Sequence, residues 1–368
     1  RLEAFWDSIK DRKDAVDTRA PFVMHRPEYR KDSVLYLPPM TDHLYAFAAA
    51  FAYNGVDVQL MPDSDEQSLD LGRRYTKGKE CLPAVITTGD IVKKATDRDF
   101  DPTRSAFFMP SAGGPCRFGL YHQLHRLVLD DLGMTNVPVY SPNQSYTLYE
   151  ELGVIGKDFS KLAWKGVVAV DLLIKFLLET RPYVQDKDLV NRSYKHYLQA
   201  ISNRLAEGGD PVDIVQEASR YFRDFPGRSE QQKPRIGIVG EIYVRSNPFA
   251  NEFIVQNLES LGVEVWLPTI GEWIHYVNYT SRIEAWAEGD KKRWLNMLMQ
   301  TALQDWMEKK MEKKSNGWLR SIPEPKVKDL LREAKPYIHP RFEGEAILSV
   351  GKSLDYMYKD VQGLGNVI

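Results

Sequence analysis

The chain has 368 residues, 43% apolar and 27% charged, the balance of a folded protein rather than a disordered or fibrous one. A net charge of −2 supplies no global field to recruit nucleic acid or an anionic membrane, and no run approaches the ~20 apolar residues of a membrane span. Two cysteines exclude a disulfide-stapled scaffold and fit a reducing, cytoplasmic setting. Along the chain, Ser33–Leu37 reads as a buried strand closed by Pro38 and Pro39. Asp42 is placed to cap a helix carrying Leu44, Phe47, Ala48 and Phe51, which Asn54-Gly55 ends before a strand over Val56–Met61. The pattern recurs with a helix over Leu82–Lys94, a strand over Ser105–Met109, a helix over Arg117–Leu132 and a strand over Val137–Tyr140. Strands alternating with helices at this spacing predict a parallel sheet.

From Ser145 to Tyr221 no strand is expected. Lys165–Thr180, Ser193–Leu205 and Pro211–Phe222 read as helices, and the polar, proline-bounded stretch Pro226–Pro234 reads as a linker. A second α/β unit follows: a strand over Arg235–Gly240, a helix over Asn251–Leu261 and a strand over Val263–Leu267. The stretch Trp273–Trp318 reads as helical with Trp294, Leu298, Ala302 and Trp306 on one face, ending in a solvated lysine-rich segment, Lys309–Lys314. A last helix near Ala346–Met357 leads to a strand beginning about Gly363. The expected fold is thus α/β. A first lobe over residues 1–144 carries both cysteines, a helical bridge and linker covers 145–232, and a second lobe with a long helical insertion covers 233–368. With no initiator Met and an ending inside a strand, the sequence reads as part of a longer chain.

The cysteines have related settings. Cys81 follows Gly78-Lys79-Glu80, and Cys116 follows Gly113-Gly114-Pro115; each directly precedes a predicted helix. Strand, glycine turn and helix put a thiol at the carboxyl edge of a parallel sheet, where such folds bind ligands. A helix N-terminus there is expected to lower the thiol pKa, and glycines let backbone amides approach a bulky inorganic group. Three readings stay open: buried structural cysteines, a redox or disulfide pair, and metal or iron–sulfur ligation. Neither cysteine belongs to a Cys-x-x-Cys pair, which excludes zinc-ribbon and thioredoxin-type sites, and two thiolates alone underfill a tetrahedral zinc or a four-iron cluster.

Gly113-Gly114 lacks the Gly-Lys-Ser/Thr of a phosphate loop, and Gly237 with Gly240 lacks the third glycine of a dinucleotide fingerprint. The loop Glu241–Pro248 leaves a strand with an acid, a base and amides, equipment for a polar or anionic ligand. Glu241, Arg245 and Asn247 are its candidate substrate residues. His122 and His125 share a helix face and read as packing and hydrogen-bonding residues.

Four segments occur in order: Gly78-Lys79-Glu80-Cys81-Leu82-Pro83, Met109 to Tyr121 around Cys116, Trp164-Lys165-Gly166, and Gly240-Glu241-Ile242-Tyr243-Val244-Arg245-Ser246-Asn247-Pro248-Phe249. Together they resemble the iron–sulfur component of the 2-hydroxyacyl-CoA dehydratase and double-cubane cluster protein superfamily. The branch most resembled is the dehydratase-type domain associated with BadF/BadG/BcrA/BcrD-type activases. The resemblance runs over roughly residues 20–368. It implies two Rossmann-like lobes and an oxygen-sensitive, low-potential cluster, of 4Fe-4S or double-cubane type, that three cysteines per subunit ligate. Cys81 and Cys116 match the first two, with Lys79, Gly113 and Gly114 shaping the cluster pocket. The third would follow a strand resembling Gly365-Asn366-Val367-Ile368, beyond the last residue here.

The resemblance also implies an ATP-dependent activase as electron donor, fused or separate, and a homodimer. The ATPase motifs themselves are absent. The function expected on this basis is reduction, or reductive dehydration, of a small or CoA-linked substrate. The alternative is a non-catalytic domain that docks an activase or relays its electrons.

Overall fold

The computed structural model describes residues 24–30, 32–114, 116–142, 156, 158–315 and 317–368. Its first sheet holds β1 (Val34–Leu37), β2 (Val58–Leu60), β3 (Ser105–Phe108) and β4 (Val139–Tyr140), all parallel, in the order β2-β1-β3-β4. Alternation of side chains across the pleat, with both faces covered, explains why β1 and Ala106–Phe108 of β3 are apolar throughout. Leu35 and Leu37 enter one core, while Tyr36 and Phe107 enter another on the opposite face with Phe100. The second sheet, also parallel throughout, has the order β6-β5-β7, from β5 (Arg235–Gly240), β6 (Glu264–Trp266) and β7 (Gly363–Val367). The protein is therefore α/β, with two Rossmann-like lobes.

Around the first sheet lie α1 (Leu44–Tyr53), α2 (Glu66–Tyr75), α3 (Leu82–Ala95) and α4 (Tyr121–Asp131), followed by α5 (Phe159–Leu178), α6 (Lys187–Ala206) and α7 (Val212–Arg223). The start of the expected bridge, residues 145–155, lies outside the described residues. From Phe159 onward α5, α6 and α7 complete the first core, with Trp164, Phe176, Leu198 and Phe222 packed in the same cluster as Leu35 and Leu37. Asp42 does not cap α1. Its carboxylate instead accepts the Tyr194 hydroxyl at 2.6 Å, and the N-cap position falls to His43, whose Nε2 lies 2.9 Å from Asp171 on α5. Sequence reading also missed α2, and the predicted helix from Arg117 begins as a 3-10 turn over Arg117–Leu120.

The second lobe adds α8 (Ile242–Ser246), α9 (Ile254–Ser260), α10 (Ile270–Ala287), α11 (Lys291–Glu312), α12 (Val327–Ala334) and α13 (Glu345–Tyr358). The long helical stretch is thus a hairpin of α10 and α11. The buried side of α11 carries Met297, Gln304, Met307 and Met311, so the Trp294, Leu298, Ala302 and Trp306 face is turned outward. This hairpin braces the other lobe: Met307 and Met311 join the first core, and the Trp164 indole donates to the Gln304 carbonyl at 3.2 Å. Asp171 completes the joint by accepting the backbone N–H groups of Ile270 and Gly271, both at 2.9 Å. No helix among the described residues is long and apolar enough to cross a membrane.

Candidate functional site

The first sheet reverses direction of build between β1 and β3, which opens a crevice at their carboxyl ends. Both cysteines flank it. Cys81 is the N-cap residue of α3, whose first turn holds Pro83, and Cys116 stands directly before the Arg117–Leu120 turn. The Arg117 guanidinium donates to the Lys79 carbonyl, so the two cysteine-bearing loops are stitched together. Lys79 and Gly113 are exposed beside the thiols, and nothing lies within 4 Å of where a Gly113 side chain would start. Gly114 has φ +83°, and the Glu343 carboxylate of the opposite lobe lies 3.3 Å from the site a Cβ would take.

Cys81 is half-buried, with its Sγ 2.6 Å from the Tyr121 hydroxyl. Burial, and then that contact, drive the Tyr121 pKa up, so the phenol stays protonated. The Cys116 thiol corrects an expectation: its pKa is raised, not lowered. Packing around it is the largest cause, and the negative fields of Glu345, Glu241 and Cys81 add to it against one opposing backbone N–H from Phe118. A single 3-10 turn has too little aligned dipole to reverse this.

The second lobe brings its own carboxyl edge to the same place. At Gly240, φ is +121° and a Cβ would lie 1.9 Å from the Val367 carbonyl, so β5 and β7 end in close contact. Glu241 follows: its N–H donates to Val367 at 2.9 Å and its carboxylate caps α8 by accepting Val244 N–H at 2.6 Å. Burial raises the Glu241 pKa, and burial with the Glu241 charge pushes Glu345 up to about 7. Arg245 is only 4% exposed and donates to the Gly240 carbonyl at 3.3 Å, while its Nε is buried without a partner. Its charge favours ionised Glu241 and Glu345. Asn247 differs from these. Its amide donates to the Pro39 carbonyl at 2.8 Å and accepts Ala250 N–H at 3.0 Å, so it clamps the loop after β5 to the loop after β1.

The structure thus gathers Lys79, Cys81, Gly113, Gly114, Cys116, Glu241 and Arg245 at one cleft, with Asn247 fixing the two sides. Tyr121, Glu343 and Glu345 were not singled out by sequence reading. Tyr121 closes the Cys116 segment, and Glu343-Gly344-Glu345 stands directly before a predicted helix; neither position announces a partner 40 or more residues away. His125 is fully buried against Thr87 at 3.3 Å, and burial pushes its pKa down to about 3, so it is a neutral packing residue. A further group, His275 with Asp305 and Glu308, joins α10 to α11. The His275 Nε2 lies 2.9 Å from Glu308, and these carboxylates with Asp171 raise the imidazole pKa although burial opposes them.

Against known proteins, the chain matches no family model, no curated protein and no solved structure. Two thiols stand on linked loops beside open space at Gly113; they are the chain's only cysteines, and by themselves they underfill a four-iron cluster, the other anionic groups named at the cleft being carboxylates.

Proposed function

We propose that the chain is an iron–sulfur protein that accepts low-potential electrons from an ATP-dependent activase and delivers them to a small or CoA-linked substrate. Cys81 and Cys116 are the ligands, and Lys79, Gly113 and Gly114 shape the pocket. The observation that carries this reading is convergence: two thiols on separate helix starts meet at the β1/β3 crevice, under the acid-bearing carboxyl edge of the second sheet. The bound cluster supplies one-electron chemistry at a potential tuned by burial and nearby amides. In this reading Arg245 offers a buried positive charge to an anionic or polarised substrate, Glu345 holds or releases a proton near neutral pH, and Asn247 keeps the lobes in register. The sequence resemblance supports a homodimer, and the low cysteine count supports a cytoplasmic location.

A second reading rests on the donor count. Two cysteines in the whole chain, one with its pKa raised, favour a domain that docks an activase or relays electrons without its own substrate chemistry. Iron and acid-labile sulfide after anaerobic purification separate the two. Bound iron that is lost in both Cys81→Ser and Cys116→Ser supports the first reading. A colourless chain, even after reconstitution with iron and sulfide, overturns it; an activase still captured by that chain then establishes the second.

A further inference from the structure

Away from the cysteines, α5, the start of α7 and the end of α11 enclose a cavity of about 340 Å³. This is the low end of the ~300–1,000 Å³ typical of small-molecule sites. Two features meet there. The first is unbalanced charge. Lys165 and Lys310 approach the same Asp210 carboxylate oxygen, at 3.2 and 3.1 Å, and Lys161 stands at the wall with no ion pair among the described residues. Three lysines and one carboxylate therefore line the cavity, and Lys165 is only 13% exposed. The second is uncovered apolar surface. Trp306 is 61% and Leu303 50% exposed on the same wall, above Met307 and Met311.

A structural ion pair needs one lysine per carboxylate, so tying α7 to α11 does not explain the surplus. Helix packing does not explain the outward tryptophan either, because the buried side of α11 is the methionine side. One kind of ligand answers both. We propose that this cavity binds a small organic monoanion with an apolar body, an aromatic or aliphatic carboxylate. Lys161, Lys165 and Lys310 take the carboxylate, and Trp306, Leu303 and Met307 take the body. This gives Lys165 of the Trp164-Lys165-Gly166 segment a role beside its indole neighbour, which anchors α11 from the opposite side. Lys310 belongs to the lysine-rich segment expected to be a solvated helix end, and here it turns back onto Asp210.

The test uses the full chain and two probes of the same shape, 2-naphthoate and the uncharged 2-naphthamide, titrated calorimetrically. Expected is one saturable naphthoate site per chain, at least about tenfold tighter than the amide, as charge-assisted hydrogen bonds require. The double variant Lys161→Gln/Lys310→Gln, altered at exposed positions, should lose that preference for the acid. Trp306→Ala should weaken both probes together. The Cys81→Ser/Cys116→Ser protein should bind as the parent does, which separates this site from the cysteine cleft. Equal affinity for the acid and the amide, affinities untouched by the lysine and tryptophan variants, dependence on the cysteines, or no saturation at all would each overturn the proposal.

Discussion

Asp90 lies within α3, 3% exposed, and accepts the Ser64 hydroxyl at 2.8 Å. Burial outweighs its hydroxyl partners and Lys93, pushing its pKa up to about 6. The folded chain therefore holds this proton more tightly than the unfolded one, whose carboxyl titrates near 3.9. The associated stability is present below about pH 4 and is lost as pH rises to about 6. Asp90→Asn keeps an acceptor for Ser64 and removes the charge. Urea unfolding should show little change at pH 4 and a gain of about 2 kcal/mol at pH 7. Cys116 offers a second check, because Glu345 and Glu241 hold its thiolate back. Glu345→Gln should speed its alkylation by iodoacetamide at pH 8 by about two- to fivefold. Sequence reading located both thiols at helix starts but mistook the sign of the effect on Cys116. Burial is the largest cause, and the charges of Glu241 and Glu345 that add to it sit more than 100 residues away, where no local pattern links them to Cys116.

At the scale of elements, α2 and α3 pack with almost no space between their backbones. A Cβ on Gly89 would lie 1.6 Å from the Ser68 carbonyl, and one on Gly72 would lie 1.9 Å from the Val85 carbonyl. Gly89→Ala must push the helices apart, and a loss of about 3 kcal/mol is expected from the shift of the urea midpoint. Since α3 starts at Cys81, the same variant should also lower any iron bound there. The helix α3 was legible from its proline-led, apolar run, whereas α2 was not. Its capping box pairs Asp65 with Ser68 rather than with the usual glutamate, and only two of its ten residues are buried. The α10–α11 hairpin shows a different limit. Its helical period was plain, but the face with the large tryptophans is not the face that packs, since methionines fill the core side.

Across the whole molecule, the second lobe is held by charges taken out of water. Lys352 is 1% exposed, 3.1 Å from Glu272, 3.8 Å from Asp355 and in contact with Glu324, which also pairs with Lys175 on α5 at 2.5 Å. Arg181, just beyond α5, grips Glu259 of α9 with two bonds of 2.7 and 2.9 Å. Lys352→Met would leave Glu272 a buried carboxylate without its cation, at a cost of about 3 to 5 kcal/mol in thermal or urea unfolding. None of this network was visible beforehand, because lysines and glutamates in amphipathic helices ordinarily face solvent. The two parallel sheets were visible because most strands are short apolar runs set between helices and bounded by glycine and proline signals, whereas their register joins residues far apart in sequence, such as Ile236 with Gly363.

The pairing of β5 with β7 also sets an order in time. The strands of the first sheet and α1 to α7 are complete in sequence by about Phe225, but Met307 and Met311 reach the first core later, and the second sheet lacks its β7 edge until Val367 has been made. At ordinary rates of synthesis that interval is on the order of ten seconds. Over that interval the loop of Glu241 and Arg245 waits for its backbone partner at Val367. The second lobe's side of the cysteine crevice is thus completed late, when β7 docks on β5.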